Sequence, residues 1–348
     1  MCKMAEQIPM HPEWVICPTC QEEASGRIGV HSKKERRYKC HECGRTFAET
    51  VGTPLYGLKT AAWLVIAILR LLATGTTVQS IVFAFGFDER TIKAWQVKAG
   101  THAKKVQEEM VCNGQVKLGQ VQGDELYVKT QYGAVWMATA MSVFSRLFIW
   151  GEVSVERKTP LIDRVVAKVH AAARRGLPIL WVTDGFSAWA SCVKKWFRTP
   201  LYTGKPGRPK LVLWKNLHFA QVVKRRQAKR IVSVERRLLF GELTAAQDIV
   251  QQTQTFLGLF NTAYIERLNA SMRTWIPALT RRSRTPSRYR LHLETAMFWT
   301  MVTYNFCRVH SSLNTAPAVA AGLSESVWST RDLLFYYRYR PKSLHDSL

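Results

Sequence analysis

Acid is scarce in this sequence: Asp and Glu number 25 against 50 Lys and Arg, a formal net charge of +25. Such an excess selects a polyanionic partner, nucleic acid ahead of a membrane surface. Long apolar runs are also missing. The most apolar stretch, AAWLVIAILRLLA at 61–73, is too short to span a bilayer and contains Arg70. The opening MCKMAEQIPMHPEW has no apolar signal core, so a cytoplasmic, nucleoid-associated location without membrane contact is expected. Cysteine is sparse too. Four of the eight sit in two CxxC pairs and four are scattered (Cys2, Cys112, Cys192, Cys307). In a reducing compartment that reads as one metal site plus ordinary buried thiols.

What is present fills in the rest. Apolar residues make up 47% of the 348, enough for a large core and two or three domains. The positive charge is uneven: residues 191–300 hold 21 Lys and Arg against five Asp and Glu, a net of +16. A generally basic solubility surface would be spread more widely.

The pairs CPTC (Cys17, Cys20) and CHEC (Cys40, Cys43) flank residues 21–39. Four thiolates at that spacing suit one structural Zn²⁺, with a hairpin between two knuckles, although redox pairs share the CxxC pattern. Tyr38 would lead a strand into the second knuckle and Gly44 would relax the turn after it. His31 and His41 could substitute as ligands, but four Cys already complete the shell. A small zinc ribbon over 12–50 is therefore predicted.

An all-α segment over 58–110 follows. Trp63, Ile66, Ala67, Leu69 and Leu72 mark a first helix. A second would be capped by Thr76 or Thr77 and stopped by Gly86, and a third would be capped by Asp88. Two short helices around a Gly-containing turn make a helix-turn-helix, with Arg90, Lys93, Gln96 and Lys98 facing DNA. An ordinary helical hairpin with solvated charges is the alternative.

From 117 the periodicity changes to strands. VKLGQVQGDELYVKT, AVWMATAMSV and RLFIWGEVSV read as a meander, TPLIDRVVAKVHAAARRG as an amphipathic helix, and LPILWVTDG as a buried strand ending in Asp184. That order matches the start of an RNase H-like fold, an α/β domain with a mixed five-stranded sheet, here placed at 116–312. Its first and fourth strands lie side by side, which would bring Asp124 and Asp184 together. Two carboxylates on a core sheet repel each other unless a divalent cation compensates. Strand alternation sends Asp124 and Glu125 to opposite faces, so Asp124 is chosen and Glu125 is read as a surface acid.

A third acid comes from LFNTAYIERLNASMRTW: Glu266, with Asn269 and Arg273 three and seven residues on, on the same helical face. Here the sequence resembles the DDE transposases of bacterial insertion sequences, over roughly 15–322. GDELYV, WVTDGFSAW and NTAYIERLNASMR are similar to their three acidic motifs, 60 and 82 residues apart by the acids. YNFCRVHSSLNTAPAVAAGL resembles the Asn-x-x-Arg-x-His tail of such enzymes and of retroviral-type integrases, and TPLYGLKT resembles their knuckle-to-helix link. Arg273 stands where many relatives have Lys, which keeps the charge and changes phosphate geometry.

The resemblance implies two Mg²⁺ (or Mn²⁺) per active site held by Asp124, Asp184 and Glu266. Arg273 and Asn269 would position the DNA. It also implies cleavage and strand transfer on double-stranded transposon ends and target DNA, in a dimer or higher oligomer. A domesticated regulator with an inactive site and an RNase H-like nuclease are the rival readings. Lys224, Arg225 and Arg226, within a basic stretch at 221–237, are expected to line DNA. Arg281, Arg282 and Arg284, in RRSRTPSRYR, are read as phosphate contacts. TGKPGRPKLVLWK reads either as a minor-groove hook or as a basic turn before a strand. His310 is a residue that could adjoin the site, and 313–348 is a C-terminal tail.

Overall fold

A computed structural model describes residues 10–12, 15–20, 27–202, 204, 207–228, 230–253, 258–281 and 283–337. Arg282 and the side chain of Arg226 lie outside the described residues, as do Thr203, Lys205, Pro206 and the tail beyond 337. No helix among the described residues is long and apolar enough to cross a membrane.

The front segment forms a three-stranded antiparallel sheet, β1 (Ile28–Ser32), β2 (Arg37–Cys40) and β3 (Thr46–Ala48). β1 and β2 make the hairpin between the knuckles, and Gly44 turns at φ +70°. Its small core consists of Val15, Cys17, Ile28, Tyr38, Cys40 and Phe47. Six such residues cannot stabilise an independent fold by burial alone. A second fastening is the buried Glu49, which accepts hydrogen bonds from Arg36 of the ribbon and Arg331 near the C-terminus.

Helices α1 (Ala62–Ala73), α2 (Val78–Phe85) and α3 (Glu89–Val111) follow. The expected caps are in place. Thr77 accepts from the Ser80 N–H, Gly86 ends α2 in the left-handed region, and Asp88 accepts from the Arg90 N–H. α3 runs on for 23 residues because its second half has a partner. It packs on α8 (Arg290–Cys307), a helix buried along most of its length. The contact is close: a Cβ on Gly100 would lie 2.2 Å from the carbonyl oxygen of Thr295. Gln107 donates to the Phe148 and Ile149 carbonyls, and Trp299 donates to the Leu69 carbonyl at 2.8 Å. One continuous core therefore joins α1–α3 to the sheet. Gly100→Ala is expected to force α3 off α8, destabilising the chain by about 1–3 kcal/mol or more, read as a lowered denaturation midpoint.

The large sheet runs β11-β10-β7-β4-β5-β6. Its strands are β4 (Gly119–Thr130), β5 (Gly133–Ser142), β6 (Phe148–Ser154), β7 (Ile179–Thr183), β10 (Leu217–Gln227) and β11 (Arg230–Phe240). β4–β5–β6 is the antiparallel meander, and β7 lies parallel to both β4 and β10. The sheet has six strands, not the five expected. The sixth, β11, pairs antiparallel with β10 at the edge of the sheet. It is exposed along nearly its whole length, so it lacks the apolar alternation that marks a half-buried strand.

Helices α4 (Thr159–Ala172) and α5 (Ser187–Trp196) cover one face of the sheet. A small pair, β8 (Arg198–Leu201) with β9 (Lys210–Leu213), follows α5. Helices α6 (Leu243–Gln252) and α7 (Ala263–Trp275) cover the other face, and α9 (Pro317–Ala320) and α10 (Thr330–Leu334) close the chain. The Asn305 of the tail motif is fully buried: it donates to the Phe148 carbonyl at 2.7 Å and accepts from the Phe148 N–H at 3.0 Å.

Candidate functional site

Register alone brings the first two acids together. β4 and β7 pair in parallel with Gly123 opposite Thr183, so Asp124 and Asp184 are the next residue on each strand. β7 ends there while β4 runs on to Thr130, leaving the carboxylates at the open end of the pair. Helix α7 is docked beside them by a side chain of β4. Gln122 donates to the Asn261 carbonyl at 2.7 Å and accepts from the Ile265 N–H at 2.9 Å. Its apolar stripe, Ile265, Leu268 and Met272, faces the sheet, which leaves Glu266 at the rim. The three acids share a cleft of about 500 Å³ with Arg157, Gly185, Phe186, Val222, Val223, Lys224 and Thr262.

Asp124 accepts from the Glu125 N–H and from Asn269 Nδ2, both at 2.8 Å. Burial pushes its carboxyl up to about 6, with the negative charges of Asp184 and Glu266 adding to the shift and those hydrogen bonds opposing it. Asp184 accepts from the Phe186 N–H at 3.0 Å and from Arg157 at 3.4 Å. Glu266 pairs with Lys224 across the cleft and accepts from Thr262 Oγ1 at 2.8 Å.

Glu125 is not the surface acid expected. Its side chain is 1% exposed, accepts from Trp189 Nε1 at 2.7 Å, and pairs with Arg157 at 2.8 Å. Burial and the Asp184 charge push it up to about 7 against the pull of Arg157. Oxygens of Asp124, Glu125 and Asp184 all lie within 4.8 Å of one another. Alternation would separate neighbouring side chains on a paired strand, but past the end of β7 the two can converge around its edge.

Carboxylate oxygens without Cys or His suit Mg²⁺ or Mn²⁺ rather than a softer metal. An ion about 2.1 Å from each ligand spans about 4 Å between opposite oxygens, close to the spread of this cluster. The donor set therefore fits a divalent cation held by Asp124 and Asp184. Glu266 stands apart from the tight cluster, across the cleft.

The four thiols form the second candidate centre. Cys17 and Cys43 Sγ lie 3.7 Å apart, and Cys20 and Cys40 3.9 Å. A zinc tetrahedron with bonds of about 2.3 Å has edges of about 3.8 Å, so the cluster fits Zn²⁺ and none of the four is in a disulfide. Hydrogen bonding to Cys43 pushes Cys20 up to about 12. Burial would raise Cys17 as well, yet the N–H groups of Cys20 and Thr19 bring it to about 7. Burial pushes Cys112 and Cys307 up to about 12 and Cys192 to about 11, which marks all three as unreactive thiols.

The remaining predicted residues divide. Asn269 is 1% exposed, with its amide between Asp124 and Thr139 Oγ1. It is placed to orient Asp124. Arg273 is half-buried and does not line the cleft; burial, then the nearby Arg281, lowers its proton affinity. Arg281 and Arg284 are exposed. Lys224 holds Glu266, and Arg225 lies 3.8 Å from Glu235. Lys93 pairs with Glu89, and with Gln96 it lines a groove of about 560 Å³ shared with Arg284, Arg288 and Trp275. Arg90 and Lys98 are exposed and do not line that groove. His310 engages Ser312, Thr315 and the Tyr304 ring rather than any acid. Arg157 drew no notice in the sequence, where it is one basic residue before a helix. No protein-family model matches the chain, and no curated protein matches it.

Proposed function

We propose that the protein is a DNA transposase of the DDE type. It would bind the inverted-repeat ends of a mobile element, cleave there and join the freed strand to target DNA. The observation that carries this reading is the placement of Asp124 and Asp184 at adjoining register positions of two parallel strands, with Glu266 facing them across one cleft. The order β6-β5-β4-β7-β10, with β11 added at the edge, supports an RNase H-like assignment. The +16 excess over residues 191–300, the segment that supplies Lys224 and Glu266 of the cleft, supports a phosphate-rich substrate.

In this reading Asp124 and Asp184 hold a divalent cation, Asn269 keeps Asp124 aimed into the cleft, and Glu266 completes the acid set once Lys224 turns to the DNA backbone. When bound, such a cation supplies Lewis acidity at a phosphodiester oxygen and neutralises the leaving 3′ oxygen. Water breaks one P–O bond, leaving a 3′-hydroxyl and a 5′-phosphate. That hydroxyl then attacks a target phosphodiester, so one P–O bond forms as another breaks and the target strand is left with a free 3′-hydroxyl. Pairing two ends calls for at least two copies of the chain. The zinc ribbon and α1–α3 would read the ends. The test is a strand-transfer assay with the DNA flanking the gene. Joined product supports transposition, cleavage alone points to a nuclease, and binding alone to a regulator.

Affinity for that DNA is expected to fall linearly in log K against log salt. Replacing Lys224 and Arg225 by Ala should reduce the slope by about two, one per lost phosphate contact. An unchanged slope in a salt titration would place this pair away from the backbone.

A further inference from the structure

Arg157 occupies the turn between β6 and α4, a position that no sequence motif marked. Its guanidinium is fixed on several sides. Nη2 donates to Glu125 Oε2 at 2.8 Å and reaches Asp184 Oδ2 at 3.4 Å. The guanidinium carbon lies 4.4 Å from the centre of the Phe186 ring and 5.2 Å from that of Trp136. Glu125 is itself immobilised. Its other oxygen accepts from Trp189, whose ring lies so close over β4 that a Cβ on Gly123 would meet it at 2.7 Å. The chain Gly123–Trp189–Glu125–Arg157–Asp184 thus runs from the core of the sheet to the floor of the cleft. Nε and Nη1 of Arg157 donate to no protein acceptor among the described residues, and the side chain lines the cleft.

We infer that Arg157 is a phosphate-binding residue of the cleft, presenting its unused N–H groups to an oxygen of a nucleic-acid phosphodiester while it aims Asp184. The inference rests on the proposed nucleic-acid substrate. Three physical points carry it. A guanidinium is a planar donor that suits phosphate oxygens at two points. Being already stacked and ion-paired, this one loses little side-chain freedom when a ligand arrives. And a substrate phosphate beside Asp184 and Glu125 would meet their repulsion unless a cation stood between. Both oxygens of Glu125 are taken, by Trp189 and Arg157, which makes Glu125 the anchor of this arginine rather than a free ligand.

The alternative is that Arg157 merely neutralises the buried Glu125 and the half-exposed Asp184. The full-length protein separates the two, through Mn²⁺ binding followed by electron paramagnetic resonance and through binding of flanking-sequence DNA in Ca²⁺. Arg157→Gln removes a cation from among carboxylates, so its Mn²⁺ affinity should be unchanged or higher, while its DNA affinity falls about tenfold. Arg157→Lys restores the charge without the two-point geometry and should recover only part of the loss. Glu125→Gln, which keeps an acceptor for Trp189 but loosens Arg157, should lower DNA affinity by a smaller factor; having lost a negative charge beside the cation site, it should not bind Mn²⁺ more tightly than the wild type. If Arg157→Gln binds DNA as the wild type does, Arg157 is a counter-ion only and the inference is overturned. A parallel loss of Mn²⁺ binding, DNA binding and melting temperature in both Gln variants would make its role structural and also overturns it. Wild-type protein that binds no DNA overturns the proposed function and Arg157's ligand with it, an outcome distinct from failure of the arginine alone.

Discussion

Cys17→Ser combined with Cys20→Ser should release one zinc per chain and unfold the ribbon while the main body stays folded. The ribbon's buried core is six residues, two of them cysteines of the four-thiol cluster, so little holds it once the sulfurs are gone. Structural zinc contributes about 10 kcal/mol or more to folds of this size, far above what those contacts supply. The larger core contains none of the ribbon residues, so its melting transition should stay near the wild-type temperature. Arg331 would lose its partner Glu49, a local loss at α10. Metal analysis with limited proteolysis checks the prediction: new cleavage should be confined to about residues 15–50. Unchanged zinc content in the double variant would mean that the four thiols do not share a metal.

The second large effect is expected at Asp124. Asp124→Asn should lower cleavage and strand transfer by roughly a thousandfold, from the several kcal/mol that a divalent cation supplies to such a reaction. Its effect on stability has a definite pH dependence. The folded protein raises Asp124 from 3.8 to about 6, so it holds this proton more tightly than the unfolded chain does. That contribution is fully present below about pH 4 and is lost as pH rises through about 6. In protein without added Mg²⁺, the stability of wild type relative to Asp124→Asn should therefore decline between pH 4 and pH 6 and level off above. Asn also gives up one of the two acceptors used by Glu125 N–H and Asn269, so the informative quantity is the slope of the difference rather than its absolute value. Chemical denaturation of both proteins across that range measures it. A difference that does not vary with pH would mean that Asp124 is not desolvated and does not face the other acids.

Much of this arrangement is legible in the sequence. Thr77, Gly86 and Asp88 punctuate the helices by local hydrogen bonding and backbone freedom, which short stretches of sequence encode. The two knuckles and the apolar strand ending at Asp184 were equally direct. What stayed hidden depends on elements far apart in the chain. Whether Asn269 faces outward or toward Asp124 depends on how Gln122 of β4 seats α7, across more than a hundred residues. Glu125 lies on the face opposite Asp124, as alternation expects, but α5 covers that face through Trp189, so the acid is enclosed rather than at the surface. The hairpin of β10 and β11 is hard to read because its edge strand is exposed over most of its length and packs on the core through Leu238 and Phe240 near its end, so it carries no apolar rhythm. Arg157 left no trace because its importance comes entirely from the Glu125, Phe186 and Trp136 that fold around it.

Asp124 and Asp184 are proposed to act with Glu266 in cation-dependent cleavage of DNA. The most direct measurement is the rate at which 3′-hydroxyl ends appear on duplex DNA carrying the gene's flanking sequence, with and without Mg²⁺, for wild type and Asp184→Asn side by side. Cleavage by the wild type is expected only when Mg²⁺ is present, and the variant should bind the same DNA but cleave roughly a thousandfold more slowly. Cleavage that persists in Asp184→Asn, or that proceeds equally well without a divalent cation, would contradict this proposal.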